Sequence, residues 1–177
     1  MSYEEAGLPP GQVRLDTLYS GFSAGTELTF LKNSNPYLHS HWDGERGLFV
    51  EGEPGVRLPL PFLGYMEVGR VRESHVEAFA QGEVLCGTWG HKTGHTADPF
   101  HELLVPLPDD LDPILGFFVA QLGPIAANGI LHADAEVLGP DVRRLGEGLA
   151  GRPVLVLGGG TVGLLTALFA RDAGATV

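Results

Sequence analysis

The sequence predicts a mainly β domain of barrel or sandwich type, followed by the opening strand, turn and helix of a parallel α/β domain. Three observations predict it. Short strand-like runs separated by Gly- and Pro-rich turns occupy the chain as far as Leu107. Two apolar helical stretches come next, and the stretch from Gly151 to Val177 then joins a Val/Leu-rich run to a glycine turn and a helical period.

Met1 to Gly11 is polar and ends in the turn Pro9-Pro10-Gly11. Gln12 to Tyr19 alternates, with Val13, Leu15, Thr17 and Tyr19 on one face and Arg14 and Asp16 on the other, which predicts a half-buried strand. Ser20 to Glu27 reads as a loop, with Thr26 as the cap of a short helix through Lys32. Asn33 to Pro61 is rich in Gly and Pro without clear periodicity, an irregular excursion covering a site. Gly64 to Arg72, Glu83 to Thr88 and His101 to Leu107 are further strands, with a bulge expected at Gly69 and a connecting segment from Trp89 to Phe100. Asp112 is the expected N-cap, with Pro113 at the first helical position, of helical stretches Ile114 to Gln121 and Pro124 to His132. The expected division is a β domain over 1–132, a linker over 133–150 and the α/β opening over 151–177.

Pro153 to Leu157 has the composition of a strand buried on both faces of a parallel sheet. It leads into Gly158-Gly159-Gly160 and then into Val162, Leu165 and Phe169 at helical spacing, which is the context a G-x-G-x-x-G motif requires. Gly158 would turn the chain, Gly160 would admit a pyrophosphate and Gly163 would let helix and strand approach. The first helical turn, at Thr161 and Val162, would face the anion. Gly174 stands at the helix C-terminus, and Ala175 to Val177 opens a second strand. The acidic ribose ligand belongs about 20 residues beyond the first glycine, past Val177, so NAD and NADP stay undistinguished.

The 177 residues carry 22 acidic against 11 basic side chains, a formal net charge of -11, which argues against nucleic acid or an anionic membrane as partner. With 44 % hydrophobic residues a packed core is expected, and no apolar run of the sequence reaches the length of a membrane span. Cys86 is the one cysteine, which excludes an internal disulfide and a four-cysteine zinc site. No signal-peptide pattern is present, and the expected location is cytoplasmic.

The order of these elements, together with SGFSAGTEL from Ser20, GYMEVGRV from Gly64, GEVLCGTWGH from Gly82, VPLPDDLDP from Val105 and VLVLGGGTVGLLTALFARDAGA from Val154, resembles the medium-chain dehydrogenase/reductase superfamily. The first and second loops are more similar to the branch related to bacteriochlorophyllide dehydrogenase than to the zinc alcohol dehydrogenases. The resemblance implies a GroES-like catalytic domain followed by a Rossmann domain that binds NAD or NADP, with an alcohol, aldehyde or enone as substrate. Against such a family both ends read as incomplete, so the chain is expected to be a fragment unable to turn over alone. Leu164, Leu165, Leu168 and Phe169 are then expected to lack their full packing surface and to favour association, including homo-oligomers.

The family's catalytic zinc positions fall on Ser23 or Ala24 and on Tyr65 and Met66, none with a zinc-ligating side chain of the inherited kind, so no metal is expected. His39 and His41, and the group His91, His95 and His101, are the residual metal candidates. Without zinc, Tyr65 is the candidate hydrogen-bond donor to a substrate oxygen, or else fills the volume that histidine and metal vacate, and Ser23 or Thr26 is the candidate proton relay. Glu67 reads as a solvated strand residue, and Trp42 and Trp89 as pocket walls or core. The cofactor-binding candidates are Gly158, Gly160, Thr161, Val162 and Gly163. Two rival readings remain: a non-enzymatic GroES-like binding or assembly module with a vestigial glycine turn, and a flavoprotein.

Overall fold

A computed structural model describes residues 6–60 and 63–177. The first residues of the segment Met1 to Gly11, and the end of the excursion at Pro61, lie outside them.

The main sheet is antiparallel, with β1 (Val13–Ser20), β4 (Glu67–Ser74), β5 (Val84–Gly87), β6 (Gly94–Ala97) and β7 (Val105–Pro106) in the order β6-β1-β4-β5-β7. Val13 and Leu15 of β1 are fully buried, as their alternation predicts, and pack with Val71, Leu85, Trp89, Ala97 and Leu104. The alternation ends at Leu18, where β1 carries an extra residue opposite Val68 and Gly69. The bulge lies beside Gly69 on the partner strand, and it turns Tyr19 outward. Gly69 serves close approach: a Cβ there would stand 3.1 Å from the Trp89 ring and 3.3 Å from Leu15 Cβ.

Two segments are more regular than their sequence suggests. The excursion from Asn33 holds a 3-10 turn at Pro36–Leu38 and a hairpin of β2 (Ser40–Asp43) and β3 (Leu48–Glu51), in which Phe49 packs edge-on to Tyr37 and Trp42. Within the segment Trp89 to Phe100, β6 pairs with β1 from Val13↔Ala97 to Asp16↔Gly94. Its Gly, His and Thr have no apolar alternation; the ladder with β1 makes the strand. Conversely, the strand read from His101 contracts to Val105–Pro106, because His101 and Glu102 N–H groups turn back onto Asp98 O.

The first helix, α1 (Ala24–Leu31), starts before Thr26 and has Ser23 at its N-cap, so Thr26 lies inside the helix. Asp112 caps as expected, its Oδ1 accepting from Ile114 N at 3.0 Å. The helical run then continues through a π-helical turn at Phe118–Leu122 into α2 (Gly123–Leu138), past His132 and into the segment read as a linker. A Cβ at Gly123 would strike Phe118 O, so glycine is what lets the run continue through the wide turn. Joined in this way, Pro113–Asp141 is long and apolar enough, by length and composition, to cross a membrane, which corrects the expectation that no run reaches that length. Its face bearing Ala120, Ala126, Ile130 and Asp134 is buried in the protein.

Ile130 of α2, Leu149 and Ala170 form a separate core with Val154, Phe169 and Ala175 partly buried against it. Asp134 ties α2 to this unit: its two carboxylate oxygens accept from Gly146 N at 2.6 Å and Gly148 N at 2.9 Å in a fully buried site. Pro153 pairs in parallel with Thr176, the beginning of the expected two-stranded arrangement. The strand expected at Pro153 to Leu157 is not formed: its one ladder pairing among the described residues is the bridge at Pro153, and the extended segment that follows is covered on one side only. Leu155 and Leu157 are 84 % and 87 % exposed, because the described residues provide no layer over that face. Leu164 and Leu168 of α3 (Thr161–Asp172) are likewise exposed, at 58 % and 48 %.

Candidate functional site

At the glycine turn two of the three glycines show the conformation or contact expected of them. Gly158 has φ +107°, in the left-handed region, and swings the chain out of the extended segment. A Cβ on Gly163 would strike Gly158 O, so the third glycine is required for helix and strand to meet. Gly160, the N-cap of α3, has nothing within 4 Å of a Cβ position and provides no side-chain cap. The first-turn N–H groups lack helical partners, and Thr161 and Val162 beside them are exposed. A cavity of about 690 Å³ adjoins them, lined by Ile130, Ala133, Val156, Gly158, Thr161 and Gly163. These features fit a pyrophosphate: fixed amide donors, a positive helix end and no Cβ in the approach. At its other end α3 closes with Gly174 N donating to Arg171 O and Ala175 N to Ala170 O, a Schellman arrangement that returns the chain to the sheet.

The second constellation lies at the end of β1 and the start of α1. Tyr65 Oη donates to Thr26 Oγ1 at 3.2 Å, so two of the three catalytic candidates meet. Ser23 contributes its backbone: its N–H donates to Glu27 Oε1 at 3.2 Å, and its carbonyl accepts from the N–H groups of Thr26 and Glu27. Its side chain makes no cap bond, and nothing places it in a relay with Tyr65.

Four further residues complete the arrangement, of which the sequence singles out His91 only as a metal candidate and Glu67 only as a solvated residue. Glu27 is buried, and its Oε2 lies 2.7 Å from His91 Nε2. His91 Nδ1 lies 2.5 Å from Ser20 Oγ, and Ser20 Oγ lies 3.2 Å from Glu67 Oε1. Glu67 is fully buried, which corrects its reading as a solvated residue: β4 is flanked by β1 and β5, so Glu67 pairs with Ser20 on one side and Gly87 on the other. Gly64, at φ +99°, closes this cluster from above, since a Cβ there would stand 2.8 Å from Glu67 Oε1 and 2.9 Å from His91 Nδ1. Phe22 stacks on His91 with ring centroids 6.3 Å apart. Beside it runs an apolar groove of about 520 Å³ lined by Phe22, Glu27, Leu28, Leu31, Leu58 and Leu63.

The remaining candidates do not converge. His39 Nε2 bonds to Asn33 O, and His39 precedes β2 whereas His41 lies within it, so the pair shares no strand face. His95 bonds Glu102 at 2.6 Å and stacks on Trp89, away from the Ser20–Glu27 bonds of His91. Among the described residues, no group of three or more His, Cys, Asp or Glu is placed to hold a metal ion. Trp89 is core, 3 % exposed, with Nε1 donating to Thr17 Oγ1; Trp42 is an exposed residue of the hairpin. Cys86 is buried, and desolvation pushes its thiol pKa up.

The antiparallel β domain, the long helix and the glycine turn occur in this order in solved structures of alcohol dehydrogenases and reductases, whose fold the chain shares. An alcohol dehydrogenase superfamily protein from Novosphingobium aromaticivorans matches with TM-score 0.63 and 18 % identity over 99 % of this chain and 47 % of its own. An alcohol dehydrogenase from Thermotoga maritima matches with TM-score 0.62 and 15 % identity over 98 % and 51 %, and a 2-haloacrylate reductase with TM-score 0.58 and 20 % identity over 99 % and 45 %. The chain therefore has the fold of the medium-chain dehydrogenase/reductase superfamily and spans about half the length of these neighbours. No family model matches the chain, and no curated protein matches it.

Proposed function

We propose that the chain is the catalytic part and the opening of the cofactor-binding part of a nicotinamide-dependent, zinc-independent oxidoreductase acting on an alcohol, aldehyde or enone. In this reading the β domain is GroES-like and residues 151–177 belong to a Rossmann domain. The observation that carries the reading is the glycine turn, where Gly163 can be nothing larger and Gly160 leaves the α3 amides open to an anion. The fold shared with dehydrogenases and reductases supports a nicotinamide group.

Gly158, Gly160, Thr161, Val162 and Gly163 would hold the pyrophosphate, and the nicotinamide, when bound, would supply or accept the hydride. The chain's own task is then to orient the substrate and move its proton. The groove beside Phe22, Leu28 and Leu31 takes an apolar body and excludes water from it. Tyr65 Oη, oriented by Thr26 Oγ1, offers a hydrogen bond to a substrate oxygen, the task that a metal performs in zinc enzymes. The expected setting is the cytoplasm, with self-association through the uncovered apolar face around Leu155, Leu157 and Leu164.

The test is binding followed by turnover of the gene product. Saturable binding of NADH or NADPH, and oxidation or reduction in a screen of alcohols, aldehydes and enones that falls at least tenfold in Tyr65→Phe, would support the reading. Turnover that requires added zinc, or binding of a flavin in place of a nicotinamide, would overturn it.

A further inference from the structure

The cluster at Ser20 contains more hydrogen-bonding contacts than hydroxyl protons. Ser20 Oγ has one proton and stands between Glu67 Oε1 at 3.2 Å and His91 Nδ1 at 2.5 Å. The other imidazole nitrogen, Nε2, stands 2.7 Å from Glu27 Oε2 and carries the proton of that contact when Glu27 is a carboxylate. Two arrangements satisfy every contact. In one, Ser20 donates to Glu67 and His91 donates from both nitrogens. In the other, Ser20 donates to His91 Nδ1, and Glu67 carries a proton and donates it to Ser20. The two differ by the position of one proton across Ser20.

Several features suit such a transfer. Glu67 is fully buried, and its Oε2 has no hydrogen-bond partner, so the carboxyl group is not fixed as a doubly satisfied acceptor. Gly64 allows the carboxyl and the imidazole to approach the same hydroxyl, because any Cβ would collide with both. At the far end, Glu27 lines the apolar groove, and Phe22 both lines that groove and covers the imidazole. The ionisable groups bonded within the cluster are Glu67 on β4, His91 on the segment after β5 and Glu27 on α1.

We propose that Glu67, Ser20 and His91 form a relay that delivers one proton to Glu27, and through it to the oxygen of a carbonyl compound in the groove. The assignment rests on the oxidoreductase reading, and it names the proton path of that site. In the reducing direction the carbonyl carbon would gain the hydride that a bound nicotinamide would supply, and the oxygen takes, by way of Glu27 Oε2, the proton that leaves His91 Nε2. As Nε2 gives up its proton, His91 Nδ1 takes the Ser20 proton, and Ser20 takes the Glu67 proton. Each step breaks one O–H or N–H bond and makes another, Glu67 ends as the carboxylate, and solvent restores the proton through the exposed edge of Ser20 and His91. Oxidation runs the same path backwards. Glu67, Ser20 and His91 are positioning residues here, since Glu27 alone meets the groove.

The relay is tested without substrate or cofactor, by NMR on protein carrying isotope-labelled His side chains and Glu carboxyl groups. If one proton is shared, the Glu67 carboxyl and the His91 nitrogens both report the same pH steps. Ser20→Ala should uncouple them, so that each group reports a step of its own, and Ser20→Thr, which restores a hydroxyl, should couple them again. In Glu67→Gln the His91 nitrogens should shift their midpoint from the wild-type value. Independent midpoints in the wild type, or the same His91 titration in wild type, Ser20→Ala and Glu67→Gln, would overturn the proposal. Should Ser20→Ala unfold, the wild-type comparison of midpoints still decides. A failed relay with intact nicotinamide binding would leave the oxidoreductase reading in place; a shared proton with no cofactor binding would refute that reading alone.

Discussion

Replacing Gly163 by Ala asks whether helix and strand are as close as the glycine turn requires. On helix propensity alone the change stabilises by up to about 1 kcal/mol. Against this, the new Cβ would run into Gly158 O, a backbone atom that cannot rotate away, with Val156 Cγ1 3.6 Å behind it. Overpacking costs about 1–3 kcal/mol, and a clash with fixed backbone lies at the upper end, so the expected net loss is about 2 kcal/mol, or about 4–8 °C in Tm for a chain of this size. Gly160→Ala is the internal comparison: nothing lies within 4 Å of its Cβ position, so it loses only the N-cap preference for glycine, about 0.5–1 kcal/mol. Thermal unfolding followed by far-ultraviolet circular dichroism measures both. A Gly163→Ala protein as stable as wild type, or more so, would refute the close approach and with it the geometric basis of the phosphate cradle.

Asp134→Ala removes a carboxylate that accepts two buried backbone N–H bonds, and should cost about 2–4 kcal/mol in urea unfolding, whereas loss below about 1 kcal/mol would show the Gly146–Gly148 loop held otherwise. Leu155→Ser and Leu157→Ser change side chains that are 84 % and 87 % exposed; they should leave stability within about 0.5 kcal/mol and reduce concentration-dependent self-association in sedimentation velocity. Cys86 holds its proton in the fold more tightly than in the unfolded chain, because burial raises its pKa. Its contribution to stability is therefore intact below pH 9.0 and is lost as pH rises from there through the folded value, a decline that Cys86→Ala should lack in alkaline unfolding curves.

What was legible in the sequence was local. The Val13–Leu15 alternation and the Asp112-Pro113 cap each state their conformation within a few residues, and each is found, as are the left-handed Gly158 and the close approach at Gly163. The strand β6 was hidden because Gly94, His95 and Thr96 are a strand only by pairing with β1. Glu67 was misjudged for a similar reason: alternation assigns a face, but burial depends on β4 lying inside the sheet, between β1 and β5. Tyr65 and Thr26 are named separately on the family resemblance and only the structure joins them, just as His91 reaches Ser20 across 71 residues of chain, a distance no periodicity spans. A buried acid directly opposite Ser20 was the one available signal, and it appears only when the register of β1 on β4 is known. The helical continuation past His132 was obscured by a weak apolar pattern that α2 resolves by burying Asp134.

The central claim is that the turn at Gly158 to Gly163 holds a dinucleotide. Calorimetric titration of the gene product with NADH and NADPH, before and after Gly160→Val, tests it most directly. Saturable binding of at least one cofactor in the wild type, lost in a Gly160→Val protein that unfolds at nearly the same temperature, is the predicted result. A folded protein that binds neither cofactor, or a Gly160→Val variant that binds as tightly as wild type, would contradict the account and favour a binding module.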